Sequence, residues 1–125
     1  MLKSVLIVGA GSFIGGALRY LISMAMKGAG SGLFPWPTFA VNLAGCFLIG
    51  IVYALFARHG SVSHPMCLML TTGVCGGFTT FSTFGHEGLS LLQGGNAGTF
   101  IVYAVASVLM GILLVGCGYW LVKLF

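Results

Sequence analysis

The sequence predicts an all-α integral membrane protein with four transmembrane helices. Hydrophobic residues make up 58% of the chain, charged residues only 5%, and the mean hydropathy is +1.11. A soluble domain carries about a quarter charged residues because its surface faces water. The apolar residues also fall into four runs, each near the length of about 20 residues that crosses a bilayer. The surface of this protein is therefore expected to face lipid.

The four runs follow one another in a single transmembrane domain. They cover about residues 5–26, 38–57, 65–92 and 99–124. A Gly, Ser and Pro-rich loop separates the first two, a short polar link leads to Pro65, and a Gln-Gly-Gly-Asn turn precedes the fourth. The first run resembles a secretory signal peptide in length, but Arg19 lies inside it and no small-residue cleavage site follows. We therefore interpret it as a membrane span.

The charges are few and mostly basic. The net charge of +4 arises from Lys3, Arg19, Lys27, Arg58 and Lys123, set against one acidic residue. They are scattered singly near the ends of runs, which suits headgroup anchoring and does not suit nucleic acid. With the N-terminus inside, three face the cytoplasm and one or two face out. That bias is weak, and it would allow one chain to insert in both orientations and form an antiparallel dimer.

Enzymatic or redox chemistry is not expected. The four cysteines lie in apolar runs and form no C-x-x-C pair, so they are interpreted as small buried hydrophobes. Only one carboxylate is present, and no spacing of nucleophile and base stands out.

The third run differs from an ordinary membrane helix. Residues 71–87 contain clustered glycines, six hydroxyl side chains, three phenylalanines and the only carboxylate of the chain, Glu87. Glycine costs about 1 kcal/mol relative to alanine in a helix, so the pair Gly76 and Gly77 predicts a break. In lipid a break is tolerated only where the freed backbone meets protein, water or an ion. The freed carbonyls would suit a small cation.

Aromatic and hydroxyl residues alternate after these glycines. Phe78, Phe81 and Phe84 recur every three residues, with Thr and Ser between them. Ring edges are electropositive, so edges beside hydroxyl donors form a weakly polar wall suited to a small anion. The alternative is that these rings face lipid or the core.

Polar residues in the other runs are candidates for the same wall. Asn42 lies in the second run, and Tyr103 and Ser107 share a face of the fourth. Arg19 and Glu87 are ionisable groups at or near membrane depth, which makes them functional candidates. The alternatives are hydrogen bonds between helices and, for Arg19, snorkelling to the interface.

The sequence resembles the Fluc (CrcB) family of fluoride channels. The resemblance rests on GGFTTFSTF at residues 76–84 followed by Glu87, on GGALRY at residues 15–20, and on VNLAG at residues 41–45. It extends over the whole chain, and the motif in the third run is long and chemically unusual.

This resemblance implies a dual-topology homodimer in the bacterial cytoplasmic (inner) membrane, with two antiparallel pathways that passively export fluoride down its electrochemical gradient. By similarity, the ring edges of Phe81 and Phe84 line the pathway. Gly76 and Thr79 match positions whose backbone carbonyls hold a structural Na⁺. The other pathway positions implied by the resemblance are Asn42, Ser82, Thr83, Tyr103 and Ser107, with Arg19 and Glu87 near the ends. Gly111 stands where some members carry a hydroxyl residue.

Two other functions compete with this interpretation. A small multidrug transporter has the same size and span number, but it needs a carboxylate in the first span, where this sequence has Arg19. A non-conducting scaffold would make the hydroxyl residues of the third span replaceable.

Overall fold

The computed structural model describes residues 1–28, 32–58 and 64–125, and its architecture is all-helical. Within these ranges, four helical segments are long and apolar enough to cross a membrane: Leu2–Ala25, Trp36–Arg58, His64–Gln93 and Ala97–Leu124. The prediction of an all-α membrane protein with four spans is therefore confirmed. The middle of the predicted first loop and most of the predicted polar link before Pro65 lie outside the described residues.

Three spans are continuous helices, and the third is divided. The continuous ones are α1 (Leu2–Ala25), α2 (Trp36–Arg58) and α6 (Ala97–Leu124). The third span comprises α3 (His64–Leu68), a π-helical segment (Met69–Cys75), α4 (Gly76–Phe78) and α5 (Ser82–Gln93). The predicted broken third span is therefore observed.

The break lies a few residues after the predicted position. Gly76 and Gly77 are helical, and the chain becomes extended at Thr79, where φ is −85° and ψ is 160°. The reason is packing. A Cβ atom on Gly77 would lie 2.7 Å from the carbonyl oxygen of Ser12 in α1. The glycine therefore permits close helix contact instead of ending the helix.

Small residues bring α1 against the first half of the third span. Gly11 and Gly15 are buried and face the π-helical segment. A Cβ atom on Gly11 would lie 2.6 Å from the carbonyl oxygen of Met69, and a Cβ atom on Gly15 would overlap the carbonyl oxygen of Val74. Gly73 lies opposite Gly11. The two spans thus approach each other backbone to backbone, which small residues at the contact permit.

The other large contact joins α2 and α6. A Cβ atom on Gly50 would overlap the carbonyl oxygen of Val115, and one on Gly118 would overlap that of Phe47. Cys117, next to the second glycine, is exposed. The expectation that all four cysteines are buried is therefore wrong at Cys117, because the glycines take the face of α6 that meets α2. Cys75 is buried, and Cys46 and Cys67 are half-buried.

Few large side chains are enclosed in the described part of the chain. Tyr103 and Val41 are almost completely buried, while many leucines, isoleucines and valines on the outer helix faces are exposed. Lipid is the solvent that suits such a surface.

Candidate functional site

Asn42 connects α2 to the broken third span. Its side-chain Nδ2 donates to the backbone carbonyl of Thr80 at 3.0 Å, and the backbone N–H of Thr80 donates to its Oδ1 at 2.8 Å. The break removes Thr80 from the helical hydrogen-bond ladder, and one amide side chain replaces both missing partners. Asn42 therefore stabilises the interruption directly.

The hydroxyl groups after the break form a local network centred on Thr80. Its Oγ1 accepts from the backbone N–H of Thr83 at 3.3 Å and donates to the Thr83 hydroxyl at 3.2 Å. The Ser82 hydroxyl lies 3.4 Å from the same oxygen. This arrangement satisfies an N–H in the first turn of α5, as a capping residue does. Thr80 was not among the predicted site residues, although hydroxyls three residues apart before a helix are a recognisable capping signal.

A groove of about 280 Å³ opens at the break. It contains four predicted pathway residues, Asn42, Phe81, Phe84 and Ser107, together with Thr79. The remaining lining residues are Cys46, Thr80 and Val108. Cys46 was not predicted here, but it follows Asn42 by one helical turn and so shares its face of α2.

Two phenylalanine rings lie beside each other in this groove. The centroids of Phe81 and Phe84 are 5.6 Å apart with an interplanar angle of 32°. Phe81 is 83% exposed, whereas Phe84 is partly buried and lies 4.9 Å from the ring of Tyr103. Phe78 is 6% exposed and contributes to the core instead. The period-three pattern therefore places two of its three rings in the groove.

Tyr103 lies between the groove and a second cavity. Its hydroxyl donates to Glu87 Oε1 at 3.0 Å, and its ring is enclosed by Phe34, Phe39 and Phe84. Glu87 in turn lines a cavity of about 560 Å³ near the start of α2. The buried phenol thus joins the only carboxylate of the sequence to the aromatic side of the groove.

Arg19 contacts the other side of the break. Its Nε donates to the carbonyl of Gly77 at 3.2 Å, and the side chain is partly buried. Carbonyls in the last turn of a helix have no N–H partner within that helix. The guanidinium of Arg19 supplies the missing donor to the Gly77 carbonyl of α4. Arg19 does not line the groove at the break.

These features of the fold and the groove define a class of protein. The chain is a multi-pass membrane protein whose third span is interrupted beside a polar and aromatic groove. The family model described as "CrcB-like protein, Camphor Resistance (CrcB)" matches residues 6–119. The chain belongs to this family, and the resemblance stated from the sequence is confirmed.

Curated relatives match over nearly the whole chain. A protein of Phocaeicola vulgatus is 47% identical over 120 residues, covering 96% of this chain and 98% of its own. One from Chlorobium phaeobacteroides is 44% identical, covering 98% and 94%. One from Azobacteroides pseudotrichonymphae is 38% identical, with both chains covered completely. Each is named a fluoride-specific ion channel FluC. This chain is accordingly a multi-pass bacterial membrane protein.

Proposed function

We propose that the protein is a fluoride-selective channel that passively exports fluoride from the bacterial cytoplasm across the inner membrane. The groove at the broken third span carries this proposal, because Phe81 and Phe84 line it together with the neutral polar side chains of Asn42 and Ser107. The relatives named as fluoride-specific ion channels supply the identity of the ion. They are named as channels, which agrees with the prediction that the chain is not an enzyme.

The chemistry of the groove suits a small, strongly hydrated anion. A pathway must replace part of the hydration shell and still release the ion. The electropositive edges of Phe81 and Phe84 and the hydroxyl of Ser107 offer several weak contacts. Asn42 uses one N–H on Thr80, and its second amide N–H remains as a donor.

Further polar groups extend this pathway beyond the groove. Ser82 and Thr83 follow the break on α5, and Tyr103 leads toward Glu87. Glu87 would lie near one end of the pathway, in the second cavity. Arg19 would add positive charge near the break while its Nε holds the backbone of α4.

A liposome efflux assay with a fluoride electrode tests the function. We expect fluoride release driven by its own gradient, with no proton gradient, and much slower chloride release. Phe81→Ile should reduce fluoride efflux at least ten-fold in folded protein. Phe13→Ile is the matched control, since Phe13 is also largely exposed but lies on α1, away from the groove. Equal efflux from both variants would show that Phe81 does not line the pathway, and wild-type release no faster than that of protein-free liposomes would favour a non-conducting scaffold.

We also propose that the working unit is an antiparallel dual-topology homodimer. Phe81 is exposed in the single chain although it lines a partly polar groove, and a second copy would enclose that groove against lipid. The charge bias between the two faces is weak, so both orientations are accessible.

C-terminal fusions test the topology. Two fusions are compared: one carries a reporter that is active only in the cytoplasm, and the other carries a reporter that is active only outside it. Comparable activity of both fusions is expected, together with the mass of a dimer in mild detergent. Activity of a single reporter would contradict dual topology.

A structural Na⁺ held by the carbonyls of Gly76 and Thr79 is the remaining part of this proposal. Within the described residues, no donor bonds to either carbonyl, because Thr80 N–H is taken by Asn42 and Thr83 N–H by Thr80 Oγ1. Free carbonyl oxygens fit a hard cation. No group of three or more His, Cys, Asp or Glu side chains in the described ranges offers a different metal site.

Dimer stability measured with and without sodium tests this site. Replacing Na⁺ by N-methylglucamine should lower the temperature at which the dimer dissociates. Thr79→Val is a matched control, because the Thr79 hydroxyl already bonds to the carbonyl of Cys75 and the backbone carbonyl is retained. Its sodium dependence should persist. A wild-type dimer indifferent to the exchange would refute the site.

A further inference from the structure

The ends of α2 and α6 lie together and carry two basic residues. Arg58, the last residue of α2, reaches across to α6. Its Nη1 donates to the carbonyl oxygen of Val122 at 2.9 Å and its Nη2 to the backbone oxygen of Phe125 at 2.6 Å. Both oxygens lie at the end of α6, where helical N–H partners are missing. The guanidinium is therefore fixed in place, and within the described residues three of its five N–H groups make no hydrogen bond.

Lys123 is held on the same side of this junction. Its Nζ lies 5.1 Å from the ring centroid of Tyr119, in a cation–π contact that does not neutralise the ammonium charge. Both basic side chains line a cavity of about 410 Å³. The other residues of its lining are Ala54, Ala57, Tyr119 and Val122. The only acidic side chain of the sequence, Glu87, lines a different cavity.

The position of this cavity limits what its ligand can be. α2 and α6 have mean hydropathies of 2.2 and 2.5 over their most apolar windows, so their ends reach the headgroup region of a membrane. Alanines leave the wall between the helices apolar, and Ala54 is only 3% exposed. A phosphodiester matches the two cations, and an acyl chain matches the apolar wall.

We propose that this cavity, formed by Arg58, Lys123, Tyr119 and the alanines between them, binds the headgroup phosphate of an anionic phospholipid. Charge complementarity selects an anionic lipid over a zwitterionic one. The apolar wall selects a lipid over a soluble anion. The proposal concerns lipid binding alone and does not depend on the identity of the conducted ion.

Native mass spectrometry of the whole protein, titrated with phosphatidylglycerol in mild detergent, tests the site. Lys123→Gln should weaken the apparent affinity about five-fold, which corresponds to about 1 kcal/mol per basic residue near an anionic membrane surface. Lys3→Gln removes an equal charge from an exposed lysine at the start of α1, and it should leave the affinity unchanged.

Variants of Arg58 separate charge from its structural role. Arg58→Gln should weaken lipid binding by a similar factor and also destabilise the end of α6. Arg58→Lys keeps the charge without the planar fork, so it should retain most of the lipid affinity while losing part of that stability. If Arg58→Gln does not fold, the comparison of Lys123→Gln with Lys3→Gln decides alone.

Competition identifies the ligand. Neither phosphatidylcholine nor millimolar inorganic phosphate should displace phosphatidylglycerol. Displacement by phosphate would reveal a soluble-anion site, and equal binding of phosphatidylcholine would reveal an apolar groove only. Equal losses in Lys123→Gln and Lys3→Gln would reveal general surface charge. A change of oligomeric mass in lipid-free Lys123→Gln would assign the cavity to a second copy. Each of these results would overturn the proposal.

Discussion

Replacing Asn42 by leucine tests whether one side chain maintains the broken span. The substitution keeps the side-chain size but removes the acceptor for Thr80 N–H and the donor to Thr80 C=O. Each buried polar group left without a partner costs about 1–3 kcal/mol. Two such groups predict a loss of about 2–6 kcal/mol, and water entering the groove should hold the loss in the lower half of that range.

The free energy of unfolding in mixed micelles, measured by titration with dodecyl sulfate, gives the magnitude. Amide hydrogen exchange of the segment around Thr80 gives the location, and it should accelerate. Asn96→Leu is the control, because Asn96 makes one bond of 3.3 Å to Gly94 in an exposed turn. Surface substitutions of this kind stay within about 0.5 kcal/mol. If Asn42→Leu also stayed within that margin and kept the exchange rate of wild type, the role assigned to Asn42 would be wrong.

Three further changes have expected outcomes. Gly77→Val should separate α1 from the third span and lower the thermal stability in detergent strongly, whereas Gly9→Val, with open space around its Cβ position, should have little effect. Tyr103→Phe removes the donor to Glu87 and should lower the free energy of unfolding by about 0.5–3 kcal/mol, the range of a single hydrogen bond; unchanged stability would show that the bond is not needed. Arg19→Leu should destabilise the end of α4 by leaving the Gly77 carbonyl without its donor, and Arg19→Lys should restore part of this stability.

The span architecture could be predicted because it depends on hydropathy and length. Four apolar runs separated by polar turns leave little choice in a bilayer. The interrupted third span was also predictable, since glycines and hydroxyl residues cluster in it. The position of the break was not. It depends on α1, where Gly11 lies against Gly73 and Ser12 lies against Gly77, so that these glycines of the third span serve helix packing.

The members of the site were easier to predict than their geometry. Asn42, Phe81, Phe84 and Ser107 share one groove, and their residue types already indicated polar and aromatic lining. The pairing of Asn42 with the Thr80 backbone could not be predicted, because it requires the rotation of α2 relative to the break. The capping role of the Thr80 hydroxyl is local and was therefore available from the sequence.

The charge distribution around the break bears on the proposed passage of an anion through the groove. Among residues 1–28, 32–58 and 64–125, no Lys, Arg, Asp or Glu lines the groove, and the Nε of Arg19 donates to the Gly77 carbonyl. A fixed charge in direct contact would hold a bare halide tightly in a low dielectric. Neutral hydroxyl, amide and ring-edge donors hold it weakly enough to be exchanged for the next ion. Glu87 is bonded by Tyr103 and does not line the groove. A lining of this kind is what the proposed channel requires.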